Sequence, residues 1–263
     1  MSQAPNLNNL FQSAHEEGLL STTSLQALNV LDIGAQIQAG LGVNIDDVTA
    51  SEVVLVTIMP DDSASINYGH NTEIVRDGHN AVIDALMTCK QKDNIFIHNR
   101  YLNGDVLYPY CSLEQAIKMD NNNYNPCQGT PLYDQIMVLL GTVLAKSQDF
   151  ADNGVPVRTV TLIITDGVDE HSVHANAKTV NDLVQDMLNS ENHIIAAMGI
   201  DDGTTNFRHV FQEMGIRDEW ILTPSNTQSE IRKAFLMFSQ SAIRASQGSA
   251  SFHQAALGGF GVP

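Results

Sequence analysis

The sequence predicts an α/β protein with a doubly wound, mostly parallel six-stranded sheet, one antiparallel edge strand and helices on both faces. Three observations lead there. From residue 52 onward, short apolar runs alternate with segments of helical periodicity, the order that builds a parallel sheet with crossover helices. Several of the runs are rich in Val, Ile and Thr without polar alternation, as strands covered on both faces should be. The segment 101–110, with Asn103-Gly104 as its turn signal, reads as a hairpin that adds the antiparallel edge.

Taken in order, residues 1–50 contain a short helix near 7–17. A stretch of mixed character follows over 23–41, ending at Gly40-Leu41-Gly42. This part is expected to be an N-terminal extension, partly helical and packed on the main domain. Strands are expected at 52–59, 94–98, 106–110, 158–165, 193–200 and 220–222, with helices at 73–91, 132–147, 175–189, 205–214 and 228–245. In the second helix Leu132, Ile136, Leu139 and Val143 form one apolar stripe, the face that packs on a sheet. Phe235, Leu236 and Phe238 in the last helix read as core. The stretch 248–263 is small and Gly-rich, which suggests a loosely held tail. The expected division is an extension at 1–50, a domain at 51–245 and a flexible tail at 246–263.

The chain has 263 residues, 43% hydrophobic and 16% charged, which favours one ordinary globular domain with an appendage over disorder or a coiled coil. Thirteen Lys and Arg stand against thirty Asp and Glu, a net charge of −17. That balance argues against nucleic acid as a main partner, because phosphate backbones need a basic face. Cations, basic proteins or metal-bridged partners fit better. Cys89, Cys111 and Cys127 form no CxxC pair, which suggests free thiols in a reducing compartment. The N-terminus has no basic start followed by an apolar stretch, and no apolar run approaches bilayer length. The expectation is a soluble, cytoplasmic protein with no membrane partner.

An open α/β sheet places its site beyond the carboxyl ends of its strands. After the first strand comes Asp61-Asp62-Ser63-Ala64-Ser65, a D-x-S-x-S pattern. After the strand TVTLIIT comes Asp166-Gly167. Between them, Cys127-Gln128-Gly129 leads to Thr130 just before Pro131. All three groups are expected on the same edge of the sheet, with Asp61 at its solvent-facing rim. Each also has a plainer explanation. The serines can form turns, Thr130-Pro131 can start a helix, and Asp-Gly is a common turn.

Together, DDSAS, GTPLYDQI and LIITDGVDE resemble the three metal-site segments of the von Willebrand factor A (vWA) family, over roughly 51–245. The family has a Rossmann-like sheet carrying a metal-ion-dependent adhesion site. The resemblance implies that Ser63 and Ser65 bind a cation directly. Thr130 would do so in one conformational state, and Asp61 and Asp166 would hold it through waters or, for one of them, directly. It implies Mg²⁺, with Mn²⁺ or Ca²⁺ as alternatives. It also implies a protein partner that supplies an Asp or Glu, in settings such as AAA+ ATPase complexes or larger assemblies. Physical chemistry agrees with that reading. Mg²⁺ takes hard oxygen ligands, and neutral inner-sphere hydroxyls leave it electrophilic towards an outside carboxylate. Asp62, Asp169 and Glu170 add acid nearby; they could occupy the metal, recruit a basic collar on the partner, or shift the cation preference.

His171 and His174 beside Asp169 and Glu170 lack a third soft ligand and read as a solvated loop. Asp201-Asp202-Gly203 reads as a turn, since the ligand pattern of an EF-hand is absent. The leading expectation is therefore a non-enzymatic binding module. The competing enzyme would be a Mg²⁺-dependent phosphatase or phosphotransferase of haloacid-dehalogenase type. That enzyme needs a second Asp where this chain has Ser63, and no Lys stands in an evident phosphate-clamping position. A structural subunit with a degenerate metal site is the third reading. No Walker A loop or G-x-S-x-G elbow occurs.

Overall fold

The computed structural model describes residues 6–30 and 32–261. Residues 1–5 of the expected extension and 262–263 of the expected tail lie outside the described residues. The sheet has six strands: β1 (Val53–Pro60), β2 (Ile95–Arg100), β3 (Val106–Ser112), β4 (Val157–Thr165), β5 (His193–Gly199) and β6 (Ile221–Leu222). Their spatial order is β3-β2-β1-β4-β5-β6. Every pairing is parallel except β2 with β3, which is antiparallel. The continuous Val/Ile/Leu runs of β1, β4 and β5 are buried at every position, because helices cover both faces.

One face carries α4 (Asn71–Met87) and α8 (Gln228–Ser246), packed on each other. Gly78 makes that approach possible, since a Cβ there would stand 2.1 Å from the Phe235 ring. The other face carries α5 (Leu132–Asp152) and α6 (Ala177–Asn189). Outside these two helices lies a further layer formed by α1 (Leu7–Glu16), α2 (Thr22–Val30) and α3 (Gly34–Gly40). As a result α5 is buried continuously over 135–150, including Lys146. The Lys146 ammonium donates to the Val43 carbonyl at 2.5 Å and to Asp149 at 2.8 Å, and burial lowers its pKa. A buried cation needs such partners.

Element limits differ from the periodicity where caps decide them. Helix α6 starts at Ala177, because the Asn176 side chain accepts the Thr179 N–H and caps it. The short α7 (Phe207–Glu213) is capped in the same way by Asn206. The C-terminal stretch differs more. In place of a loose tail it forms α9 (Ser249–Gly258), with Phe252 fully buried. The Trp220 indole N–H donates to the Ala256 carbonyl at 3.2 Å, and the Trp220 and Phe260 rings meet edge to face at 4.8 Å. Small residues let this segment lie close, and two phenylalanines anchor it. No helix among the described residues is long and apolar enough to cross a membrane.

Candidate metal centre

The strand order reverses between β1 and β4, and an open sheet forms its crevice at such a point. The three segments singled out in the sequence meet there. Ser63, Ser65, Thr130 and Asp166 all line one cleft of about 630 Å³ at the carboxyl ends of these strands. The Ser63 and Ser65 hydroxyls lie 2.9 Å apart, and the Ser65 hydroxyl donates to Asp166 Oδ1 at 2.7 Å. Thr130 closes over Gly167, its Oγ1 3.9 Å from where a Cβ on Gly167 would sit.

The loops are tied down by backbone bonds. The Ala64 N–H donates to the Gln128 carbonyl at 3.1 Å, and the Asp62 carbonyl accepts from Cys127 and Gln128. The Thr130 carbonyl accepts from the N–H groups of Glu170 and His171, and the Thr130 N–H donates to His171 Nδ1 at 2.9 Å. His171 therefore positions Thr130, where the sequence suggested only a solvated loop. Gly129 makes room for it, since a Cβ there would press on the imidazole at 2.9 Å.

Asp61 is not at the solvent-facing rim. It is fully buried, with Oδ1 accepting the Ser63 N–H at 2.7 Å and Oδ2 accepting the Thr165 hydroxyl at 2.6 Å. The strand end is also tied to Tyr124, whose hydroxyl donates to the Asp61 carbonyl at 2.5 Å. Asp61 thus stands behind Ser63 and is not among the residues lining the cleft. Burial pushes its pKa up, against the bonds from Ser63 and Thr165. Burial also lifts Asp166 to about 6, with the nearby Asp61 adding to the rise and the Ser65 hydroxyl opposing it. Buried carboxylates raised in this way lack a compensating positive charge.

The flanking acids separate into distinct roles. Asp62 faces away from the cleft and accepts the Asn103 N–H at 2.9 Å; burial pushes its pKa to about 7. Asp169 accepts the Tyr133 N–H and the Ser172 hydroxyl, and so braces the start of α5. Glu170 alone of the three lines the cleft.

Sequence reasoning missed the opposite wall. Asp201, Asp202, Thr204 and Thr205 line the cleft together with Tyr68, Asn71 and Asn226. The turn after β5 lies at the same sheet edge as Asp61 and Asp166, so its position along the chain was the available signal. Asn71 had none. Against the upward push of desolvation, bonds from Thr205 and Thr204 hold Asp202 at about 2, fully ionised.

Mg²⁺ ligands at about 2.1 Å, at right angles, stand roughly 3 Å apart. The spacings Ser63 to Ser65 and Ser65 to Asp166 match that edge. The donors are hydroxyl and carboxylate oxygens, which suit a hard cation. Among the described residues, no group of three or more His, Cys, Asp or Glu gathers together.

No family model matches this chain, and no curated protein does. Solved structures do. The open conformation of the pilus adhesin SpaC from Lactobacillus rhamnosus GG aligns with a TM-score of 0.55 at 12% identity, over 74% of this chain and 30% of that one. Proximal thread matrix protein 1 from the mussel byssus aligns with a TM-score of 0.52 at 17% identity, over 73% of this chain and 46% of that one. The chain thus spans less than half of either protein. The SpRpn10 VWA domain aligns with a TM-score of 0.50 at 11% identity, over 73% of this chain and 96% of that domain. Six strands in this order, with helices on both faces, and the match to an entire VWA domain make this a vWA-like α/β fold.

Proposed function

We propose that this chain is a non-enzymatic protein-interaction module that grips an acidic residue of a protein partner through a divalent cation. Ser63, Ser65, Thr130 and Asp166 would hold the ion, with Asp61 orienting Ser63 from behind. When bound, Mg²⁺, or Mn²⁺ or Ca²⁺ in its place, supplies a hard electrophilic point for a carboxylate oxygen. The observation that carries the reading is the run of oxygens Ser63–Ser65–Asp166, spaced at 2.9 and 2.7 Å on the wall of an open cleft.

The vWA-like fold supports a role in protein interaction, and one structural neighbour is a pilus adhesin. The family resemblance extends the partner to an AAA+ ATPase or a larger assembly. Three free cysteines support a cytoplasmic setting. A net charge of −17 disfavours nucleic acid. A dehalogenase-type phosphatase needs an accessible Asp nucleophile, whereas both carboxylate oxygens of Asp61 are bonded and buried. The cleft's histidine is engaged by the Thr130 N–H.

Titration calorimetry with Mg²⁺, Mn²⁺ and Ca²⁺ tests the site. The wild type should bind at least one ion, and Ser65→Ala and Asp166→Asn should weaken it roughly ten- to hundredfold while circular dichroism stays unchanged. A folded wild type giving only dilution heat with all three ions would leave a structural subunit. Phosphatase turnover abolished by Asp61→Asn would restore the enzyme reading.

A further inference from the structure

The wall of the cleft has a charge imbalance that a single cation does not remove. Asp166, Glu170, Asp201 and Asp202 all line it, and among the described residues its lining includes no Lys or Arg. Its histidine, His171, is engaged at Nδ1 by the Thr130 N–H. A divalent ion cancels two of the four negative charges, and a partner's carboxylate then adds one back. A ligand bearing only an acid is therefore mismatched to this surface.

Two further features ask for a donor-rich, cationic ligand. Asn71, the first residue of α4, lines the cleft and is 1% exposed, yet among the described residues its Oδ1 has no hydrogen-bond partner. A buried acceptor left unpaired is costly, and an N–H from a bound ligand would satisfy it. Tyr68, 76% exposed, stands on the same cleft. An exposed ring beside carboxylates suits a guanidinium, which stacks on aromatic faces and pairs with carboxylates in a planar fork.

We propose that the partner presents an acidic residue flanked by arginine side chains, the acid reaching the cation and the guanidinium groups reaching Glu170, Asp202, Asn71 and Tyr68. The proposal rests on the cation-dependent reading above and specifies the partner's chemistry. The partner is a protein loop with mixed charge, not an acidic tail.

Three short amidated peptides test it against full-length protein in excess Mg²⁺. The first has a central Asp between two arginines, the second replaces the arginines by serines, and the third replaces the Asp by Asn. The arginine-flanked peptide should bind on the order of tenfold tighter than the serine-flanked one. That preference should shrink as salt rises. EDTA and the Asp→Asn change should each abolish most of the binding. Glu170→Gln combined with Tyr68→Ala should remove most of the arginine preference. Glu170 is exposed on a loop and Tyr68 is exposed on the short 3-10 helix Ala64–His70, so the fold survives their replacement. Asn71→Ala should also reduce affinity for the arginine-flanked peptide.

Equal affinity for the first two peptides would overturn the inference while leaving cation-dependent carboxylate binding intact. So would full arginine preference in the double variant, or no binding of the arginine-flanked peptide to cation-loaded protein. Absence of cation heat in calorimetry would instead bring down the underlying reading, and this inference with it.

Discussion

The carboxylate of Asp61 accepts one N–H and one hydroxyl, at 2.7 and 2.6 Å, in a site closed to solvent. Removing it leaves the Ser63 N–H and the Thr165 hydroxyl without that acceptor. Asp61→Ala should therefore lower stability by about 1–3 kcal/mol, besides weakening cation binding. Asp61→Asn should be the milder change, because it keeps an acceptor and removes a buried charge. Urea denaturation of both variants in EDTA checks this, and an alanine variant as stable as wild type would contradict it. The same residue shows how far the sequence could be read at this scale. A D-x-S-x-S pattern after an apolar strand identified the position. It could not reveal that Asp61 faces Thr165, four residues of chain short of Asp169 but more than one hundred residues from Asp61.

Among the elements, the strand and helix pattern was legible because each period is set by neighbouring residues. The last segment was not, because Ser, Ala and Gly content describes a chain without describing what two phenylalanines can reach. Phe252→Ala should cost about 3–5 kcal/mol, the range for an emptied aromatic site, if α9 is part of the cooperative unit. A loss below 1 kcal/mol in a denaturant melt would mean α9 is peripheral. The contact between α4 and α8 makes a second case. Gly78→Ala places a methyl carbon 2.1 Å from the Phe235 ring and should destabilise by about 1–3 kcal/mol. Phe235→Leu on that background should restore part of the loss, since contacting sites are not additive.

For the molecule as a whole, three buried histidines tie stability to pH. Burial lowers His79 to about 4 and His193 to about 4; burial, with Arg100 nearby, lowers His98 to about 3. Unfolded histidine takes up its proton near pH 6.5. The unfolded chain therefore binds more protons than the folded one below that point. The stability these groups contribute is complete above about pH 6.5 and is lost as pH falls towards their folded values. For His193, which shares a 2.7 Å hydrogen bond with Thr159, the loss is about 2 kcal/mol at roughly pH 5. Comparing wild type with His193→Asn isolates it from the carboxylates. The stability gap between them should narrow by about that amount between roughly pH 7.5 and pH 5. An unchanged gap would mean that His193 is protonated in the folded state.

The order of elements, the burial of the central strands and the edge of the sheet on which polar groups gather follow from the chain alone. Each depends on local periodicity and on which residues come next after a strand. Tertiary structure decided which of those polar groups share a cleft, because β1 and β4 lie side by side only through the order of the whole sheet. It also decided that Asp61 is enclosed, that His171 holds Thr130, and that the turn after β5 supplies the facing wall. Those facts are pairings between distant segments, and solvent exposure is a property of the packed assembly, to which no stretch of neighbouring residues has access.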